Sequence, residues 1–432
     1  MNESLFLKWV ASFFPLLTTL IEKINGKRNG TLTYLHKDTT ILKKVFSPDN
    51  KWESTSVNTT YVSADFVAMD SELPIKSRDS IASANGKLPK SAISKKLKES
   101  DITQLNIMEK QGGNAARIRK KLADDPVACN VGLDELMEYS FLFGLCEGYV
   151  AMPDADKEGS LMRLNYGYLA ANTFGATTKG VISLSDIKRV ISTADSRDQN
   201  TVIKVWISKT TYDALRLTRE ARELVAGYNG QSYTEDTTLP VPTAKRFNEA
   251  FTDDTGATFQ VINRTVLFEK NGKKTSKKPW NNNRIIFECN EQVGSFVYGQ
   301  LAEATNHVDG VTYSLIDDYK LISEYSLTNP LREVTGGQAL AAPVIEDVDQ
   351  VYVLDLTLSE EVDETAEKAD TSDTYITVWG KKYTKADVIK QLAAITGNRV
   401  ASNIGDNTLI SKINELSEED EETLKNALTP AS

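Results

Sequence analysis

Imidazole is scarce in this chain of 432 residues: His36 and His307 are its two histidines, so general-base chemistry near neutral pH has few candidates. Neither stands in an HExxH or HxH arrangement, spacings that bring two ring nitrogens to one metal. His307 falls in the turn-like stretch 306–310, where a histidine faces solvent by default. Adjacent carboxylates occur at Asp124-Asp125, Asp253-Asp254 and Asp317-Asp318, and such pairs can hold a metal or divide acid and base roles. Neighbours on a strand point to opposite faces, which weakens Asp317-Asp318 as one site. Helix capping or a solvated face accounts for all three pairs. Gly272-Lys273-Lys274-Thr275 lacks the upstream glycine that would help cradle a phosphate, and no GxGxxG or GxSxG pattern is present. The three cysteines, Cys129, Cys146 and Cys289, are odd in number and form no CxxC pair. They read as reduced, mostly buried thiols. The expectation is a protein that is not an enzyme, with no catalytic residue, metal or cofactor.

Charge is the next possible agent. Basic residues gather at 87–98, 117–121 and 270–278. Arg117, Arg119 and Lys120 lie on the polar side of a helical stretch, where weak phosphate contact competes with simple pairing to acidic neighbours. A net charge of −10 argues against a surface built to grip nucleic acid. Aromatic interleaving, the mark of a single-strand platform, is absent from these clusters apart from Trp280.

The elements that would position these groups follow from periodicity. Residues 5–20 are apolar, but Glu3 precedes them, Lys8 interrupts them and no small-residue cleavage site follows. That argues against a secretory signal, and the run is short for a bilayer span. Phe6, Val10, Phe13, Leu17, Leu20 and Ile24 fall at helical spacing, which predicts an amphipathic arm docking on a partner subunit. The turn cluster Ser47-Pro48-Asp49-Asn50 closes it. From 55 to 98 the pattern is extended, with Val62, Ala64, Phe66 and Ala68 alternating and Gly86 and Pro89 punctuating the return strand. A long exposed strand pair is an aggregation hazard unless another subunit covers it, and strand addition supplies directional backbone hydrogen bonds.

Residues 114–123 read as helix. Asp124-Asp125-Pro126 then restarts it, with Asp as N-cap and Pro in the first turn. The restarted helix, 126–150, carries an apolar face of Cys129, Leu133, Leu136, Met137, Phe141 and Leu145. Residues 175–305 alternate helix and strand. Helices are expected over 185–195, after Thr210 and over 243–251; strands over 202–207, 258–268 and 284–288 flank a basic polar tip at 270–283. The acidic, aromatic-free stretch 359–373 reads as a flexible linker. Beyond it, Val388, Ile389, Leu392 and Ile395 mark one helix and Leu409, Ile410, Ile413 and Leu416 a second, with Leu424 and Leu428 on a third.

One longer stretch carries a resemblance. Residues 313–356, YSLIDDYKLISEYSLTNPLREVTGGQALAAPVIEDVDQVYVLDL, run strand, a turn on Asn329-Pro330, a Gly336-Gly337 step leading to Pro343, then strand. This order resembles the closing segment of the phage major capsid protein E family. Residues 65–90, DFVAMDSELPIKSRDSIASANGKLPK, resemble the long hairpin that such subunits extend over their neighbours. The resemblance spans about residues 55–356. In the tail, YTKADVIKQLAAI and NTLISKINEL resemble a small helix–extension–helix (HeH, LEM-like) domain.

The resemblance implies an α+β chain with the Hong Kong 97-like phage capsid fold. Its expected parts are an N-terminal arm (1–50), an extended β-hairpin E-loop (51–98), a P-domain with a long spine helix (99–174), an A-domain (175–312), return strands (313–358), an acidic linker (359–373) and a small all-α HeH-like domain (374–432). It implies a structural virion protein that self-assembles, as hexamers and pentamers, into the icosahedral head enclosing phage DNA. Subunit contacts then fall to Phe66, Met69, Pro74, Ile75, Arg78 and Pro89 on the loop and to Phe6, Val10, Phe13 and Leu17 on the arm; Arg117, Arg119 and Lys120 become inner-wall DNA contacts. The implied partners are further copies of the chain, portal and scaffold proteins and, weakly, packaged double-stranded DNA, with no membrane. The arm is too short for a scaffold-like delta domain. Assembly would take place in the bacterial host cytoplasm. Some shells of this fold join a loop lysine to a neighbour's asparagine, and Lys76, Lys87 and Lys90 are the loop lysines here. Two alternatives stand beside this reading: a nucleic-acid or surface-binding module working through the tail, whose acidity argues against tight phosphate binding, and another virion component such as a tail protein.

Overall fold

The computed structural model describes residues 34–57, 81–110, 115–153, 161–198, 200–234, 237–270, 272–359, 375–379 and 381–384, with isolated positions as far as 428. The arm residues Phe6, Val10, Phe13 and Leu17 and the loop residues Phe66, Met69, Pro74, Ile75, Lys76 and Arg78 lie outside them. The chain divides into two units, Met1–Glu360 and Glu361–Ser432.

In the first unit a 3₁₀ turn, Leu35–Lys37, precedes β1 (Leu42–Phe46) and β2 (Lys51–Val57). Next come β3 (Ile81–Lys87), β4 (Lys90–Lys98), α1 (Glu99–Lys110) and α2 (Ala115–Glu147). A hairpin of β5 (Tyr149–Pro153) and β6 (Leu161–Asn165) leads to β7 (Thr173–Ala176). The alternating region holds α3 (Leu184–Asp198), β8 (Lys204–Ser208), α4 (Lys209–Leu217), α5 (Arg219–Tyr228), α6 (Ala244–Thr255) and β9 (Thr258–Ile262). It continues with β10 (Val266–Lys270), β11 (Lys273–Lys277), β12 (Arg284–Glu288), β13 (Gly294–Tyr298) and the short α7 (Ala302–Thr305). The unit closes with β14 (Thr312–Ile316), β15 (Lys320–Thr328), β16 (Leu331–Ile345) and β17 (Val351–Ser359). Among the described residues no helix is long and apolar enough to cross a membrane.

Helix α2 has 33 residues, roughly 50 Å at 1.5 Å per residue. The sequence suggested a restart at Pro126, yet the helix runs through it. A proline inside a helix loses a hydrogen bond and crowds the preceding turn. Tertiary burial outweighs that cost, because Cys129, Leu133, Met137, Phe141 and Leu145 on the same helix are all buried. The helix lies against β4, β15 and β16. Gly337 makes the close approach possible: a Cβ there would meet the Cys129 Cβ at 3.0 Å. Gly336-Gly337, read from sequence as a step between two strands, is therefore strand itself. It sits inside the 15-residue strand β16, whose hairpin with β15 runs in register from Lys320↔Ala339 to Thr328↔Leu331.

Two larger sheets form. One has the order β1-β13-β16-β15-β14 with β4 added to β16; the other runs β7-β17-β12-β8-β9. The second sheet is buried on both faces. Trp206, Ile286, Val351 and Val353 face the core shared with α2, while Val205, Ile207, Ile285, Phe287, Tyr352 and Leu354 face the core under α3 to α6. Burial on both sides explains why these strands read as continuous apolar runs rather than alternating ones. The run at 258–268 is not one strand. It breaks after β9, and Arg264 in the gap bonds Glu135 of α2 at 2.5 Å while its guanidinium covers the Tyr34 ring at 4.8 Å.

The second unit opens with strands, β18 (Tyr375–Val378) and β19 (Lys381–Thr384), paired antiparallel. This departs from the all-helical expectation for residues 374–432. Val378 and Tyr383 of the hairpin are buried with Val388, Leu392, Ile413, Leu424 and Leu428, so residues read from sequence as helix faces close a core on which a hairpin also sits.

Candidate functional site

The ribbon of β2 and β3 is a sheet of its own, paired from Lys51↔Lys87 to Val57↔Ile81. Its root is built into the first core. Trp52 is buried opposite Gly86, and a Cβ on that glycine would meet the indole Nε1 at 2.8 Å. The indole also stands edge-on to Tyr166 at 6.0 Å. Tyr166 donates its hydroxyl proton to the Pro343 carbonyl at 2.6 Å, and Ser54 donates to the Ile345 carbonyl at 2.6 Å. Of the six loop residues singled out from sequence, Pro89 alone is described: it is half-buried between β3 and β4. Trp52 escaped the sequence reading, although a tryptophan entering a strand whose partner carries a glycine is a recognisable pairing, the aromatic covering the gap left by the missing side chain.

A second cluster escaped it too. His36 is buried beside α2. Its Nδ1 lies 2.7 Å from Glu138 Oε2, and the backbone N–H groups of Leu35 and His36 donate to the same carboxylate at 3.1 and 3.0 Å. One turn earlier on the helix, Asp134 accepts from Lys37 at 2.8 Å and from the fully buried Lys320 at 2.9 Å. Burial would raise the Asp134 carboxyl, but the neighbouring His36 ring and the Lys320 and Lys37 ammoniums outweigh it and hold it well below the usual carboxylate range. Burial lowers the Lys320 ammonium, against the pull of Asp134. Histidine, carboxylates and lysines in one place are the ingredients of acid–base catalysis. Here they bond one another in the interior, the buried His36 Nε2 alone lacking a hydrogen-bond partner, and fasten the 3₁₀ turn and β15 to the helix. The available signal was Asn130, Asp134 and Glu138, polar residues four apart on an otherwise apolar helix stripe.

The remaining sequence candidates are dispersed. Asp317 and Asp318 occupy a tight turn with φ of 52° and 67°; the first bonds Lys37 and Lys320, the second Lys44. His307 is exposed and stacks on Tyr313 at 4.7 Å. Burial pushes the thiols of Cys129 and Cys146 up to about 12, which removes their nucleophilicity at neutral pH. Arg117, Arg119 and Lys120 belong to α2, and their side chains lie outside the described ones. Among the described residues no group of three or more His, Cys, Asp or Glu side chains is arranged to hold a metal.

Two surface features complete the inventory. Between α3, α5 and α6 opens a groove of about 800 Å³ that includes Lys188, Glu220, Glu223, Asp253 and Asp254, with Tyr228 and Tyr233 in its wall. The hairpin of β10 and β11, in register from Val266↔Lys277 to Lys270↔Lys273, carries the basic tip, and all of β11 is exposed.

No protein-family model matches the sequence, and no curated protein matches it. Solved structures with a similar backbone include a phage-related protein from Bordetella bronchiseptica RB50, with 11% identity, a TM-score of 0.40 and coverage of 79% of this chain and 96% of that one. The mature capsid of bacteriophage PhiM1 gives 10% identity and a TM-score of 0.41 over 77% of this chain and 90% of that one. The capsid of Cyanophage A-1(L) gives 12% and 0.41 over 74% and 92%. At scores of this size the likeness carries no functional weight, which rests instead on the geometry above.

Proposed function

We propose that this chain is the repeating subunit of a closed protein shell, a tailed-phage major capsid protein of the Hong Kong 97-like fold. The observation that carries the reading is the β2–β3 ribbon, anchored in the core at Trp52 and Ser54 yet paired with no strand but its own partner among the described residues. A two-stranded ribbon is marginal in water by itself, and its free edges invite further pairing. An identical copy lying against it supplies the missing cover. In this proposal Phe66, Met69, Pro74, Ile75, Arg78 and Pro89 make the loop contacts, and Phe6, Val10, Phe13 and Leu17 dock the arm.

The mechanism is assembly. One interface of ordinary size is weak after association costs, and repetition over hexamers and pentamers makes the closed shell stable. Portal and scaffold proteins, and packaged double-stranded DNA held weakly by Arg117, Arg119 and Lys120, complete the proposed set of partners. The tail unit, read as an HeH-like domain, is an appendage in this account, so deleting 359–432 leaves the shell intact.

Negative-stain microscopy of the purified full-length protein tests the reading: hollow particles or ring-shaped capsomers are expected. Replacing residues 58–80 by a short Gly-Ser turn is expected to abolish them while the subunit still folds. A chain that stays monomeric under all assembly conditions overturns the proposal.

A further inference from the structure

The hairpin of β10 and β11 is rooted firmly and ends in bare charge. At its base Val266 and Trp280 are buried, Phe268 stands edge-on to Tyr139 of α2 at 4.9 Å, and Trp280 stacks on Trp206 at 6.4 Å. Beyond that root Lys273, Lys274, Lys277 and Lys278 are all exposed. None of the four forms an ion pair among the described residues, although Lys277 covers the Phe268 ring at 5.3 Å. Four ammoniums on a ribbon held rigid at its base repel one another, and Glu269, across the strand from Lys274, offsets that only in part.

The complementary surface lies on the same molecule. The groove between α3, α5 and α6 is lined by four carboxylates against one lysine. Lys188 neutralises Asp254 at 2.7 Å, Arg219 on the rim bonds Glu223 at 2.6 Å, and Glu220 caps the start of α3 through Ser185. Asp253 is exposed in the groove, and Tyr228 and Tyr233 stay 46% and 40% exposed. Exposed tyrosine faces beside carboxylates suit the alkyl stem and ammonium of lysine.

We propose that the lysine-rich hairpin of one copy seats in this acidic groove of the next. The proposal rests on the shell reading above and names one of the contacts from which that shell is built. A knob and a socket at different places on identical chains make a heterologous contact, the kind that closes into a ring when the rotation allows. Because the contact is electrostatic and lies at the surface, salt weakens it.

Charge reversal tests it in the full-length protein. Lys273→Glu with Lys274→Glu is one variant, Glu223→Lys with Asp253→Lys another, and the four together a third. At about 0.1 M salt each reversal alone should lower the assembled fraction, read by sedimentation, by about tenfold or more. The combined variant should return to within about threefold of the wild type. Circular dichroism melting of unassembled subunits, unchanged in all three, separates lost contact from lost fold. Wild-type particles that survive both reversals undiminished overturn the contact and leave the shell reading standing. A wild-type chain that never assembles overturns the shell reading, and the contact with it. Hairpin reversal that abolishes retention on duplex DNA yet spares the particles assigns the lysines to a polyanion and overturns the contact.

Discussion

Roughly two and a half turns of α2 separate Asp125 from Asp134, and the sheet beneath receives the two aspartates differently. Asp134 meets Lys37, Lys320 and His36. Asp125 meets Glu324 of β15, with Glu333 of β16 nearby. Burial, reinforced by Glu333 and Asp125, pushes the Glu324 carboxyl up to about 7. One end of the helix is fastened by opposite charges. The other brings carboxylates together and keeps one of them protonated into the neutral range. The contrast shows that a single helix–sheet contact can hold one fastening that acid releases and another that weakens as pH rises through neutrality.

Breaking the fastened end gives the largest effect. Asp134→Ala leaves the buried Lys320 with Asp317 as its remaining carboxylate partner and should cost about 2–3 kcal/mol in urea denaturation. Removing both charges together, as Asp134→Leu with Lys320→Met, should cost clearly less than the single change, because the buried ammonium then goes with the buried carboxylate it had lost.

The acidic end sharpens the contrast through its sign. Glu324 has a folded-state value near 7 against 4.5 for the ordinary side chain, so between those values the native state holds a proton that the unfolded chain has released. Its contribution is fully present below about 4.5 and is lost as pH rises through about 7. Glu324→Gln should therefore stabilise the subunit by about 1–2 kcal/mol at pH 8 and by close to nothing at pH 4, read from denaturation midpoints at both values. Asp134 runs the opposite way: its value is depressed, so its stabilisation is present above the ordinary carboxylate range and lost on acidification. The smallest effect is expected at Lys37, whose side chain is 25% exposed; Lys37→Ala should cost about 1 kcal/mol or less by the same assay.

Legibility in the sequence followed burial. The runs at 202–207, 284–288 and 351–356 were readable as strands because both their faces are covered and most positions are apolar, Lys204, Arg284, Glu288 and Asp355 apart. The helix after Pro126 was readable from its stripe, but its true start was not, since only contact with β4, β15 and β16 carries the chain through the proline. Gly336-Gly337 misled for a similar reason. A glycine pair signals a break between strands locally, whereas its use here depends on Cys129, far away in sequence. The same limit hid His36 and Trp52, whose partners Glu138 and Tyr166 are brought near only by the fold. The arm residues and every named loop residue but Pro89 fall outside the described residues.

The wall formed by β8, β12 and β17 carries a mechanical consequence. Trp206 and Ile286 point to one side of it while Val205 and Phe287 point to the other, so no hinge can open along that plane without tearing side chains from both interiors at once. A push on α3 to α6 therefore bears on α2 through side chains packed on both faces of the wall. In the shell proposed above, any give in the subunit would then have to lie outside that wall.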